Sequence, residues 1–334
     1  MTYIERRVDA YAHPQSILPG ACSLLMLGCY YGGGSLSSVK EGQGRIARYA
    51  ASPADYHDVL HRRLRQLGKF LEELVPAAGV RGVVDTAPLL EREFGQQAGL
   101  GWIGKNSLLI NRQQGSWFFL AALITDQPLA YDLPETVNHC GTCRACLQAC
   151  PTGALVAPGV LDSRRCLSYQ TIELRDSLPP AWRGEMREWL FGCDVCQQVC
   201  PWNHPGLGAE DTELKALPER RVLDLVSLFS MTDESFRRLF RRTALWRAKR
   251  RGLLRNAALL LGNQVPPGAG EALLLGIQDP EPLVRAASVW ALGRLRDPRV
   301  RTALRARQAR EEDPDVRREL EHALAAATGR VPGH

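Results

Sequence analysis

The sequence predicts a three-part chain: an α/β domain over residues 1–133, a small α+β segment over 134–215 and α-helical repeats over 216–334. Three observations carry that division. Strand-like apolar runs alternate with an amphipathic helix before residue 133. Eight of the ten cysteines lie between Cys140 and Cys200. Beyond residue 250, a unit of about 30 residues recurs with a Val-Arg or Leu-Arg start and a run of small and apolar residues ending in Gly.

The bulk numbers are ordinary. At 334 residues, 45% hydrophobic and 23% charged, the chain has material for two or three domains with a sizeable core. The start, Met-Thr-Tyr-Ile-Glu-Arg-Arg-Val-Asp, lacks the apolar stretch of a secretory signal. The longest apolar run, Trp117 to Ile124, is far too short to span a bilayer. The expectation is a cytoplasmic, membrane-free monomer whose cysteines hold metal.

Residues 1–22 are polar and read as an extended lead-in. Ser23 to Tyr31 is a buried-strand pattern followed by Gly32-Gly33-Gly34, and Cys22 and Cys29 read as core cysteines. Ser52-Pro53-Ala-Asp55 reads as a helix start with Ser52 as N-cap. Leu60, Leu64, Leu67, Leu71 and Leu74 then form one apolar stripe ending near Pro76. His57 and His61 on that helix read as solvated or capping residues. Arg81 to Asp85 is a short strand ending in an acid. Gly99-Leu-Gly101-Trp102-Ile-Gly104-Lys105-Asn106-Ser107 is a loop whose glycines would let backbone approach a ligand. Its spacing and Asn106 exclude a Walker-type nucleotide site. Strands follow over Ser107–Asn111 and Trp117–Ile124.

The cysteine segment is the most specific stretch. Cys140-Gly-Thr-Cys143-Arg-Ala-Cys146-Leu-Gln-Ala-Cys150-Pro151 is the C-x2-C-x2-C-x3-C-P run of bacterial ferredoxins, whose fourth cysteine ligates the other cluster. Cys193-Asp-Val-Cys196-Gln-Gln-Val-Cys200-Pro201 lacks a leading cysteine, and Cys166 is the natural substitute. A dicluster ferredoxin-like α+β domain with two 4Fe-4S clusters follows. By the ferredoxin crossover, Cys140, Cys143, Cys146 and Cys200 hold one cluster, and Cys166, Cys193, Cys196 and Cys150 the other. Structural zinc normally uses two separated pairs, and disulfides need an exported chain.

The C-terminal part carries Leu254-Arg255-Asn256-Ala257-Ala258, then Val284-Arg285-Ala286-Ala287, then Val316-Arg317-Arg318-Glu319, with Asp279-Pro280 and Asp313-Pro314 before the last two. This unit is similar to HEAT-type helical repeats. Arg237 to Arg255 contains nine basic residues and no acid, a field able to attract a polyanion. An electron relay serving a reaction centre in the first domain, with a macromolecular substrate held by the last, is the economical reading.

Longer motifs narrow it. Val84-Asp85-Thr-Ala-Pro88-Leu-Leu-Glu91-Arg92, Ala98 to Ser107, Cys166-Leu-Ser-Tyr-Gln-Thr-Ile-Glu-Leu and Gly192-Cys-Asp-Val-Cys-Gln-Gln-Val-Cys-Pro-Trp-Asn203 resemble the epoxyqueuosine reductase family, and Arg48-Tyr-Ala with Asp55-Tyr56-His57 also fits. The resemblance implies a cobalamin-binding α/β domain similar to that of reductive dehalogenases, with cobalamin fed by the two clusters and by an external low-potential donor. It implies reduction of epoxyqueuosine to queuosine at the wobble position of a tRNA with a GUN-type anticodon, the last step of that pathway. It makes Asp85 the proton donor, with a pKa raised by burial. Arg48, Tyr49, Asp85, Trp102, Lys105, Asn106, Ser107, Asn111 and Ser168 would contact the cofactor. Arg175, Arg247, Lys249, Arg250 and Arg251 would meet tRNA phosphate. Family members usually begin several tens of residues earlier, so an opening strand and helix are expected to be missing. Two rivals are a reductive dehalogenase, which the basic repeats and absent export signal disfavour, and an inactive electron-transfer or tRNA-binding scaffold.

Overall fold

The computed structural model describes residues 2–32, 38–203, 211–295 and 297–326. By its internal packing the chain falls into two compact units, each drawn from separate stretches of sequence. The first comprises Met1–Leu36, Ser52–Asp162 and Asp194–Leu217; the second comprises Ser37–Ala51, Ser163–Cys193 and Pro218–His334.

In the first unit a three-stranded sheet runs in the order Ser23–Tyr30, Phe118–Thr125, Val80–Val83. Both pairings are antiparallel, from Ser23↔Thr125 to Tyr30↔Phe118 and from Val80↔Thr125 to Val83↔Ala122. The central strand is covered on both faces, with Ala121, Ala122, Leu123 and Ile124 at 1% exposure or less. That is why it reads as an unbroken apolar run rather than an alternating one.

Helix Tyr56–Leu74 packs on this sheet. A Cβ on Gly82 would lie 2.6 Å from Leu64 Cβ, so the glycine lets helix and strand meet. The helix starts later than expected. Ser52 donates to the Ala54 carbonyl at 2.6 Å, and Asp55 is the N-cap, accepting from the His57 amide at 3.0 Å. The leucine stripe buries only its first half: Leu60 and Leu64 are inside, whereas Leu74 is exposed. Cys22 is also exposed, one residue ahead of the strand, and not the core residue its neighbours suggested.

The glycine-rich loop is a tight hairpin of Trp102–Ile103 against Leu109–Ile110. A Cβ on Gly101 would come within 2.1 Å of the Ile110 carbonyl, and one on Gly104 within 2.4 Å of Ile110 Cδ1. These glycines let the two short strands close on each other, so the close approach that they make at Ile110 is to the chain itself.

The second unit holds a small sheet in the order Val222–Asp224, Gln43–Ile46, Trp189–Phe191. After it come helices Lys249–Gln264, Ala269–Gly276, Pro282–Leu292, Pro298–Gln308 and Pro314–Ala326. The recurring residues have recurring jobs. Asp313 in the second Asp-Pro pair accepts from the amides of Asp315 and Val316, capping the last helix. Arg255 is 1% exposed and donates to the carbonyls of Gln170, Leu174 and Asp176. Arg285 grips Glu311 and the carbonyls of Asp279 and Pro280. The glycine closing each unit marks a helix crossing: Gly262 faces Ala291, and Gly293 faces Ala323. A Cβ on Gly262 would lie 2.8 Å from the backbone of Ala291, so Gly262→Ala should destabilise the repeats by about 1–3 kcal/mol. A lowered Tm with unchanged iron content would be the signature. No described helix is long and apolar enough to cross a membrane.

Candidate functional site

Cys140, Cys143, Cys146 and Cys200 line one pocket of the first unit, together with Lys105, Asn106, Ile110, Ala145, Pro201 and Trp202. The last cysteine arrives from far along the chain because its near neighbour Asn203 is pinned. Asn203 Oδ1 accepts from the Ser116 amide at 2.6 Å, and its amide nitrogen donates to the Gln197 carbonyl at 2.8 Å. Gly115, at φ +63, makes room, since a Cβ there would sit 2.1 Å from Asn203 Oδ1. Burial pushes the thiols of Cys146 and Cys200 up, and the neighbouring cysteines add to it. A thiolate-binding iron centre relieves that repulsion and releases protons as it assembles. Four sulfurs around one pocket suit a cubane cluster. Of the other four cysteines, Cys150 and Cys196 belong to the first unit, and Cys166 and Cys193 to the second.

Two residues assigned to the cofactor, Lys105 and Asn106, line this pocket. Lys105 donates its ammonium to the carbonyls of Gly141 at 2.6 Å and Cys143 at 2.8 Å. Its charge is thereby committed to the cysteine loop. Asn111 is a turn-builder: its amide donates to the Leu100 carbonyl, and its oxygen accepts from the amides of Gln113 and Gln114. Asn106 and Ser107 are buried, Ser107 at φ +62, with its carbonyl gripped by Arg92 at 2.5 Å. Trp102 packs edge-on against Trp202 and His139, yet its Nε1 is buried with no hydrogen-bond partner among the described residues. A carbonyl on a ligand would satisfy that donor, so this loop fits an amide-rich cofactor such as cobalamin at one point. Arg48, Tyr49 and Ser168 lie in the second unit, where Arg48 is buried and the Tyr49 ring stands 6.4 Å from Phe191.

Asp85 sits two residues past its strand, at the end of a hydrogen-bonded chain of acids. Tyr56 Oη donates to Asp85 Oδ2 at 2.5 Å, and His57 Nε2 lies 3.0 Å from Asp85 Oδ1. On the other side of the ring, His57 Nδ1 lies 2.6 Å from Asp55 Oδ1. The Tyr56 ring stacks flat on Phe119 at 4.2 Å, which ties the network to the sheet. An imidazole with a carboxylate at each nitrogen carries both protons. Burial opposes its charge, but the two carboxylates outweigh burial and hold His57 up at about 9. The converse holds for Asp85: burial would raise it, and the bonds from His57 and Tyr56 bring it below its usual value. The expected protonated Asp85 is therefore corrected, because in this chain the proton rests on His57. Sequence reasoning passed over His57. Its signal was the Asp-x-His spacing at a helix start, which lets one Asp cap the amide and hold the ring.

Three family models match the chain: 4Fe-4S double cluster binding domain over residues 139–203, epoxyqueuosine reductase QueG, DUF1730 over 12–86, and HEAT repeats over 241–325. Epoxyqueuosine reductase of Cyclobacterium marinum is 41% identical, over 77% of this chain and 81% of its own length. That of Escherichia coli is 38% identical, over 79% of this chain and 70% of its own. The chain belongs to the epoxyqueuosine reductase family. Among solved structures, epoxyqueuosine reductase bound to a tRNA-Tyr epoxyqueuosine-modified stem loop superposes with a TM-score of 0.90, at 30% identity over 96% of this chain and 86% of that one. A Bacillus subtilis epoxyqueuosine reductase with its catalytic aspartate loop swung out of the active site gives 0.89 at the same identity and coverage.

The double-cluster model spans all eight cysteines between Cys140 and Cys200, and the epoxyqueuosine reductase model contains Asp55, Tyr56, His57 and Asp85. The chain is thus an oxidoreductase with iron–sulfur sites and HEAT repeats. Its basic residues divide into two kinds. Arg250 pairs with Asp279 at 2.5 Å and donates to the Met231 carbonyl, with both charged side chains at 10% exposure or less. This arginine belongs to the repeat packing, which corrects its assignment to phosphate. Arg247 is bonded to Glu173, Arg251 lies 3.7 Å from Glu281, and Arg175 donates to the carbonyls of Ile172 and Ala248. Arg237, Arg238, Arg241, Arg242 and Lys249 are exposed, and Lys249 rests 4.3 Å from the Trp246 ring.

Proposed function

We propose that the chain reduces the epoxide of epoxyqueuosine, at the wobble position of a tRNA with a GUN-type anticodon, to the alkene of queuosine. The observation that carries the reading is the Asp55–His57–Asp85–Tyr56 network in a chain of this family. Support for the substrate comes from the relative bound to an epoxyqueuosine-modified stem loop, and for the acid from the relative with a catalytic aspartate loop.

Opening an epoxide places negative charge on oxygen, and a positioned proton lowers that barrier, speeding the step by a factor of about 10²–10⁴. Asp85 is half-exposed and so open to a substrate, while His57, bonded to it, holds the proton. The two titrate as one acid. Bound cobalamin would supply the low-potential two-electron chemistry at the epoxide carbon. Trp102 and Ser107 are the first-unit residues proposed to hold it, and Arg48, Tyr49 and Ser168 keep the role that the resemblance assigns them. Electrons come from an external low-potential donor through the two clusters. We place the protein in the cytoplasm as a monomer.

The test is anaerobic reconstitution with iron, sulfide and cobalamin, followed by epoxyqueuosine-tRNA and a low-potential reductant. Queuosine should appear in the digested nucleosides; none from the intact chain would refute the reading. For tRNA, the triple change Arg241→Glu, Arg242→Glu, Lys249→Glu should weaken binding and flatten its salt dependence by about 0.7–0.9 log units for each phosphate no longer neutralised. Arg250→Ala should instead lower stability by about 3–5 kcal/mol, because Asp279 is left buried and unpaired. The reverse pattern would reassign both groups.

A further inference from the structure

The deoxygenation consumes two protons, and the network around His57 carries one that is mobile. Two carboxylates, Asp55 and Asp85, contact this imidazole directly, and a third carboxyl, Glu91, feels its charge without touching it. Asp55 and Asp85 each take a bond from the ring, and Asp85 a further one from Tyr56. Glu91, six residues past Asp85 at the first turn of helix Glu91–Gln97, takes none of these. Its Oε1 is buried without a hydrogen-bond partner among the described residues. The adjacent Arg92 does not rescue it, because its guanidinium goes to the Ser107 carbonyl. One imidazolium serving three carboxylates would leave net negative charge in the network, and Glu91 would carry its part on a carboxyl with one oxygen shut off from water, which is costly. Protonating the unbonded carboxyl removes that cost.

We propose that Glu91 holds, as a neutral carboxylic acid, the second proton of the deoxygenation and releases it toward Asp85. This rests on the reading of the chain as an epoxyqueuosine-reducing enzyme. The balance closes. One proton goes to the epoxide oxygen as the first carbon–oxygen bond opens, and the Glu91 proton goes to the resulting hydroxyl as the second bond breaks. The oxygen departs as water, the carbon–carbon double bond forms, and two electrons come from the low-potential donor. Glu91 acts through Asp85 and is a positioning residue rather than a catalytic one.

The charge environment agrees. Burial, then the Asp85 charge, pushes the Glu91 carboxyl up to about 8; Glu93 adds to this, while Arg92 and His57 oppose it. The strands packed against its helix, Ser23–Tyr30, Trp102–Ile103, Leu109–Ile110 and Phe118–Thr125, contribute only Cys29 and Tyr30 as titratable groups and no charged side chain. A carboxyl raised in the folded chain keeps its proton at neutral pH and loses it as pH climbs through about 8.

The test combines isotope-edited infrared spectroscopy of the cluster-loaded chain with single-turnover assays across pH. A carboxylic-acid C=O band should be present at pH 7, fade as pH rises through about 8 and be absent from Glu91→Gln. Turnover should fall at least about 10²-fold in Glu91→Gln, with its alkaline limb near that pH abolished, and recover to within about tenfold of wild type in Glu91→Asp. A wild-type spectrum without the band, or a band that survives in Glu91→Gln, overturns the proposal without any need for the variant to turn over. So does a Glu91→Gln chain as active as wild type. A wild-type chain that forms no queuosine overturns the functional reading itself, and the proposal with it.

Discussion

Asp85→Asn should retain its iron and its affinity for tRNA while losing about 10²–10⁴-fold in queuosine formation. The substitution keeps shape and lets Tyr56 Oη still donate to a side-chain oxygen, so the fold has little reason to change. Its effect is on protons. An amide cannot accept the His57 proton and pass it on, and His57 loses one of the two carboxylates that hold it near 9. A pH profile separates this from a structural defect. His57 is raised above its ordinary 6.5, so the stability and the proton it contributes are present below 6.5 and are lost as pH climbs through about 9. Asp55 and Asp85 are lowered, so their share is present above 3.8 and is lost on acidification. Wild-type turnover should therefore fall on the alkaline side as His57 discharges, and that limb should move to lower pH in Asp85→Asn. Unchanged turnover in the variant would remove Asp85 from the mechanism.

How legible this chemistry is in the sequence depends on where its partners lie. The iron–sulfur domain and the HEAT repeats are written locally. Thiolate ligation admits one residue type at short spacings, and a repeat must reuse the residues that stack it: Arg255 and Arg285 clamp carbonyls, and Gly262 and Gly293 admit the next helix. The acid network is written in three dimensions. His57 and His61 share a helix spacing that draws attention to each other, yet beyond its near neighbour Asp55 the partner of His57 is Asp85, brought alongside by packing of the helix on the sheet. Nothing in the string Leu-Leu-Glu91-Arg92 shows that the arginine will turn away from the glutamate to Ser107. The glycine-rich loop is ambiguous for the same reason. Glycines signal that something comes close, and only the pairing of Trp102–Ile103 with Leu109–Ile110 shows that it is the chain itself. Charge runs are equally ambiguous, since Arg250 and Lys249 are neighbours in sequence but one is inside an ion pair and the other faces water.

Cys200→Ser should cost a whole cluster, although Cys200 stands apart in sequence from Cys140, Cys143 and Cys146. The four line one pocket, and a hydroxyl is a far poorer iron ligand than a thiolate. Iron should fall from about eight to about four per chain, and queuosine formation should vanish. The rest of the molecule has no cause to unfold, because the segment after Cys200 is held by the Asn203 bonds to Ser116 and Gln197, which do not involve the sulfur. Cys22→Ser, at an exposed position outside both cysteine runs, should leave iron and turnover unchanged. Cys193→Ser sharpens the assignment, since it should remove the other half of the iron while preserving the cluster at Cys140. Paramagnetic spectra of the two reduced variants should then differ from each other and add up to that of wild type. If Cys200→Ser kept all its iron, or if it and Cys193→Ser lost the same cluster, the crossed assignment would fall, and Cys200 would belong with its own run.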